Sequence, residues 1–205
     1  MDVNFGMEWF SRDEKFSFDV RRSIILGHYM HEWGMPEHRV ITVKASRKIH
    51  VEIYYFPAGK NSKVSRFATV GLSMARRPSG ALVSAEWMLA LTSDLGGESS
   101  DRVFSYVVDL IAHHIENAAS STPPIVMAES EIAPAKWSSK ALLIDELRGE
   151  SESLEGIAVG SESVPVLWVI PINSREVDII NREGVEKFDE IIEKSIYSIV
   201  DPQRI

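Results

Sequence analysis

Between Val40 and Leu91 the chain is patterned with period two, and from Ser100 the period changes to near four. Four strands in succession followed by a helix cannot be threaded as alternating β-α-β units, so a doubly wound parallel sheet is excluded. The strand segments are Val40-Thr42-Lys44, then Lys48 to Phe56, then Phe67 to Met74, then Ala81 to Leu91, where Val83, Ala85, Trp87 and Leu89 share a face. Pro57-Ala58-Gly59-Lys60-Asn61 and Arg76-Arg77-Pro78-Ser79-Gly80 supply turns between them. The helix that follows is capped by Ser100 or Asp101, and Val103, Val107, Leu110, Ile111 and His114 form its stripe.

An amphipathic helix precedes the strands. Ile25, Tyr29 and Trp33 recur at four-residue spacing from about Phe18 to Trp33, Gly34 stops the helix, and Pro36 follows. Downstream, Ile125 to Ile132 and Lys140 to Leu147 read as strands, the second also being compatible with a helix. Val164 to Ile172 is the most apolar run and reads as a central strand buried on both faces, with Pro165 at its start. Short helices are expected over Arg175–Asn181 and Gly184–Ile199, and a turn at Asp201-Pro202-Gln203-Arg204. The expected fold is therefore α+β, a mainly antiparallel mixed sheet with helices packed against it. A single domain over residues 1–205 is the natural count, since no repeat or long linker divides the chain.

Composition excludes several chemistries. With no cysteine, disulfides, thiolate metal sites and cysteine nucleophiles are ruled out, and a reducing, cytoplasmic setting fits. The start of the chain lacks a signal-peptide pattern, and no apolar run approaches the roughly 20 residues of a membrane span. The net charge of −8 argues against nucleic-acid binding. Its distribution is uneven: residues 1–100 carry 13 basic and 11 acidic side chains, and residues 101–205 carry 9 and 19. The carboxyl-terminal half is an acidic body suited to steering a basic protein partner.

Motifs for catalysis are incomplete. Gly71-Leu72-Ser73-Met74-Ala75 falls one glycine short of a nucleophile elbow and runs into basic residues and Pro78 rather than a helix. His28 and His31, three apart on a helix, supply two metal ligands; a third would have to come from elsewhere, such as His38 or His50, with nothing in the sequence pointing to either, and the plain reading is half-exposed helix histidines. Gly96-Gly97 lacks the lysine and spacing of a phosphate loop. No catalytic, cofactor-binding or metal set is assigned. The stretch Arg148–Ser163 reads as a loop, and its Glu150, Glu152, Glu155 and Glu162 form a candidate acidic contact patch. Trp9 and Trp137 lie outside strong periodic patterns and are the candidate exposed aromatic anchors.

Several strings, taken in order, carry a family resemblance. They are Glu32-Trp33-Gly34, Val51-Glu52-Ile53-Tyr54-Tyr55-Phe56-Pro57, Phe67 to Met74, Leu82 to Leu91 and Phe104 to Asn117, then Val166 to Ile172 with Glu176, and Val200-Asp201-Pro202-Gln203-Arg204. All lie outside Pro123–Ser163. The chain resembles the suppressor-of-fused (SUFU) domain family, in its stand-alone bacterial form. That resemblance implies a compact domain that binds protein and is not an enzyme. Animal members restrain a transcription factor by holding a peptide, and many bacterial ones look like immunity proteins against a toxin domain. The expectation is a bacterial immunity protein for a basic toxin. Its rivals are a regulator that sequesters a signalling or transcription protein and a metal-dependent enzyme using His28 and His31.

Overall fold

The computed structural model describes residues 11–44, 49–59, 62–117 and 122–205. Its elements are helix α1 (Arg12–Trp33), strands β1 (His38–Lys44), β2 (Ile49–Phe56), β3 (Val64–Val70) and β4 (Glu86–Thr92), and helix α2 (Ser100–Asn117). Strands β5 (Ile125–Met127), β6 (Ala141–Glu146), β7 (Ile157–Val159), β8 (Glu162–Val164) and β9 (Val166–Ile172) follow, then helices α3 (Ser174–Glu183) and α4 (Val185–Glu193). Seven strands form one sheet in the order β1-β2-β3-β4-β9-β6-β5, and β7 and β8 make a separate hairpin. Every pairing in the large sheet is antiparallel except β4 with β9. The mixed, mainly antiparallel α+β reading is the observed one.

Two apolar cores lie on the two faces of the sheet. On one, Val103, Val107, Leu110 and Ile111 of α2 meet Val51, Ile53, Trp87, Leu89, Leu142, Ile144 and Val169. On the other, Ile25 and Tyr29 of α1 join Ile157 of the hairpin, Ile179 and Ile180 of α3 and Phe188 of α4 over Phe56, Met88, Leu143, Trp168 and Ile170. Alternation within each strand sends successive side chains to opposite cores. All seven residues of β9 are buried, as a strand covered on both faces requires.

Local structure departs from the sequence reading in places with physical causes. Helix α1 begins six residues early, because Ser11 Oγ accepts the Glu14 N–H and caps it. Strand β3 stops at Val70, since Gly71 takes a left-handed conformation (φ 96°) and Leu72–Met74 turn in a short 3-10 segment. Strand β4 starts only at Glu86; the preceding residues leave the ladder at Ser84, which has φ 65°. Helix α2 is capped by Ser99, whose Oγ accepts from Arg102 N. The last helix ends at Glu193, so Ile196 stands 92% exposed beyond it. The expected strand Ile125–Ile132 keeps only its first three residues, and Lys140–Leu147 resolves as a strand. The expected loop Arg148–Ser163 contains a 3-10 turn (Glu152–Leu154) and most of the β7–β8 hairpin, held by the burial of Leu154 and Ile157. No helix among the described residues is long and apolar enough to cross a membrane.

Candidate functional site

The near-elbow is a structural anion nest. Three successive backbone N–H groups, of Gly71, Leu72 and Ser73, donate to the Glu86 carboxylate at 2.9, 3.1 and 3.2 Å. The Thr69 and Ser73 hydroxyls add two more bonds, each 2.7 Å. Ser73 Oγ also accepts from Arg21. A serine buried against a carboxylate and a guanidinium in this way has no open face toward a substrate. Glycine is required at position 71, because a Cβ there would sit 2.6 Å from the His50 carbonyl oxygen.

The acidic residues of the 148–164 stretch divide into two sets. Glu150 is drawn inward: Arg66 lies over the Trp33 ring and pairs with Glu150 at 2.7 Å, and the Trp33 indole donates to the same carboxylate at 2.9 Å. That pairing corrects its reading as a free contact residue. Glu162 pairs with Arg21 but keeps its side chain 64% exposed, and Glu152 and Glu155 are exposed. Trp137 is also corrected. It is 1% exposed, donates its indole N–H to the Leu95 carbonyl and meets Tyr106 edge to face, so it closes the core rather than anchoring a partner. Trp9 lies outside the described residues. On α1, His28 is half-buried and His31 exposed, and among the described residues no three His, Asp or Glu side chains gather as a metal ion would need.

A different place has the form of a binding site. Among the described residues strand β5 ends the sheet and pairs only with β6, in the register Ile125–Ile144, Val126–Leu143 and Met127–Leu142. An edge strand leaves alternate N–H and C=O groups unpaired on its outer side. Beside it, between β5 and the end of α2, lies a cavity of about 740 Å³. Leu110, Ile125, Met127 and Leu142 give it an apolar lining; Tyr106, His113, His114 and Glu129 supply polar groups. Glu129 accepts from Ser174 Oγ, which ties this rim to the start of α3. A sheet edge with an adjoining apolar cavity can take an extended segment, with backbone bonds giving affinity and the cavity taking a side chain. Sequence reading missed these residues. Their one signal was the Pro123-Pro124 break before a very short apolar triplet, which isolates β5 at the margin of the sheet.

His114 forms part of the cavity wall and is 2% exposed. Its Nε2 lies 3.2 Å from an Arg77 guanidinium nitrogen, which can only donate, and its ring meets Trp87 edge to face at 4.7 Å. Burial, then the charge of Arg77 and the neighbouring His113, pull its pKa down to about 4. The unfolded chain therefore binds a proton more readily than the fold between pH 6.5 and 4. Stability contributed by neutral His114 is complete above about pH 6.5 and is lost as pH falls toward 4, by about 3 kcal/mol in total. Urea melts from pH 7.5 to 4 are expected to show this slope in the native chain and to lose it in His114→Gln. Glu52 acts lower. Burial raises its pKa, but hydrogen bonds from His50 and Tyr54 and the charges of Arg39 and Arg22 outweigh that and hold it at about 2. Its contribution therefore persists until the pH falls below about 4.5.

Compared with known protein families, residues 47–205 match the family described as Suppressor of fused protein (SUFU). The chain belongs to the suppressor of fused family. Matches to solved SUFU structures agree in fold. A crystal structure assigned as a SUFU homologue from Neisseria gonorrhoeae FA 1090 superposes with a TM-score of 0.68 at 11% identity, covering 90% of this chain and 95% of that one. The structure of a Sufu–Fu complex gives a TM-score of 0.57 at 12% identity, over 86% of this chain and 84% of the other. No curated protein matches by sequence. The SUFU match includes α2, β5 and the cavity between them, and leaves all of α1 and β1 outside.

Proposed function

We propose that this SUFU-family chain is a non-enzymatic binding protein of the cytoplasm, acting as one domain, that neutralises a basic toxin protein by holding an extended segment of it along β5. The carrying observation is the sheet edge at β5, unpaired on its outer side among the described residues, with its adjoining cavity, both built from the acidic half of the chain. Charge complementarity favours a basic occupant: Glu129 lies at the cavity, and Glu152, Glu155 and Glu162 present exposed carboxylates elsewhere on the same half. The buried, internally satisfied Ser73 and Glu86 leave the near-elbow no catalytic part.

Co-expression with the product of the adjacent gene tests the reading. Capture of that product and rescue of growth from its toxicity are expected, with the complex weakened several-fold by charge reversal at Glu152 and Glu155 and by raised salt. Neither capture nor rescue would sink it. A second reading, sequestration of a signalling or transcription protein, draws support from the SUFU relative captured together with Fu. It predicts capture of the neighbouring product without any toxicity to rescue.

A further inference from the structure

Helix α1 is apolar on two opposite faces. Phe18, Arg21, Ile25 and Tyr29 are buried against the fold, and the reverse side presents Phe16 (70% exposed), Val20 (41% exposed), Ser23 and Gly27. Spacings of three and four residues put these last four on one stripe. A surface helix ordinarily carries charge on that side. None of the four is charged, and the Ser23 hydroxyl already donates to the Asp19 carbonyl at 2.8 Å. Gly27 is a second anomaly. Among the described residues a Cβ there would meet nothing within 4 Å, so the fold of one chain gives no reason to keep glycine in mid-helix, where it is a poor helix former.

We infer that this stripe is the seam of a homodimer, in which α1 packs antiparallel on α1 of a second copy. Reversed, the stripe is complementary to itself: its large residues lie in the first half and its smallest in the second. Phe16 and Val20 of one copy then fall on Gly27 and Ser23 of the other, about a two-fold axis near Arg22. Charge fits the same axis. Exposed Asp13 and His31 stand about five turns apart on one side of the helix, equally distant from Arg22, so each Asp13 meets His31 of the second copy. Each helix N-terminus also lies beside a C-terminus, which suits the two dipoles. Helix α1 carries four basic and four acidic side chains, whereas the whole chain has a net charge of −8. Two copies therefore meet here without the repulsion that the acidic half would bring. A basic protein, a nucleic acid or an anionic membrane surface would find no charge on the stripe to bind. The apolar core under α1 is on the sheet face opposite α2, so the dimer leaves the β5 edge and cavity of both copies open.

Sedimentation velocity of the full chain tests the seam. About three turns of helix make a small interface, so dimers are expected at about 100 µM and monomers at about 1 µM. Gly27→Gln should weaken association at least about tenfold. Its melting temperature at about 1 µM should hold or rise, because glutamine is the better helix former. The chain has no cysteine, so an introduced thiol reports the geometry. Under diamide, Ser23→Cys is expected to give a covalent dimer, its Cα atoms facing each other at about 5–6 Å across the axis. Phe16→Cys, about 18 Å from its copy along the helices, is expected to stay uncrosslinked. A monomer at about 100 µM would overturn the proposal, whatever else covers the stripe. So would undiminished association in Gly27→Gln, cross-linking by both cysteine variants, which marks a parallel seam, or cross-linking by neither.

Discussion

Glu86→Gln is expected to destabilise the fold by about 3–5 kcal/mol, although it changes one atom. The two Glu86 oxygens accept five hydrogen bonds, three of them from backbone N–H groups that cannot reverse direction. An amide must turn its NH₂ toward one of the two sets. Whichever side it takes, at least one backbone donor faces another donor in a site with 0% exposure. Each stranded donor costs about 1–3 kcal/mol, and loss of the charge weakens the remaining bonds. At this size of domain the melting temperature should fall by roughly 6–20 °C. The check is a urea melt in which the midpoint drops and the slope does not. A loss under about 1 kcal/mol would mean that the 71–73 turn is held by its neighbours and not by this carboxylate.

The second large effect is at the carboxyl-terminal turn. Arg204, 2% exposed, donates to both oxygens of Glu176 at 2.8 and 3.0 Å, to the Ile199 and Asp201 carbonyls at 2.8 and 2.9 Å, and to Pro171. It therefore fastens the end of the described chain to β9 and to the first turn of α3. Nearby, Pro202 fits against Gly96, where a Cβ would approach it to 2.5 Å, and Gln203 donates to the Gly96 carbonyl at 3.0 Å. Arg204→Met is expected to cost about 3–5 kcal/mol, because Glu176 is then a buried carboxylate without its cation. The double variant with Glu176→Gln should recover part of that loss. Equal losses in the single and double variants, seen in a double-mutant cycle, would show that the carbonyl contacts matter and the ion pair does not.

Periodicity carried most of the fold. The switch near Ser100 separated strands from α2, and the apolar density of Val166–Ile172 marked β9 as central. What escaped was set by contacts distant in sequence. Trp137 lacks a periodic frame, so nothing local announces that its indole meets the Leu95 carbonyl 42 residues away. Glu150 looks like one of several acids in a polar stretch until Arg66 and Trp33 converge on it from β3 and α1. Glu86 is an ordinary strand residue in sequence, and only the left-handed turn at Gly71 brings three N–H groups to it. The cavity was hidden for a related reason. Tyr106 and His114 lie on α2, Met127 on β5 and Leu142 on β6, and the arrival of β5 beside β6 brings the three elements to one cavity.

The sheet has two edges of different character. Strand β1 is seven residues long and carries exposed Arg39 and His38, charged and polar groups that discourage strand addition. Strand β5 is short, with half-buried Ile125, Val126 and Met127 beside the cavity. Amide hydrogen exchange on the complex with the adjacent gene product separates them. The account predicts slowed exchange at Ile125–Met127 and at the end of α2, with β1 unchanged. A complex that forms with protection confined to β1, or to the exposed carboxylates of Glu152 and Glu155, would contradict it.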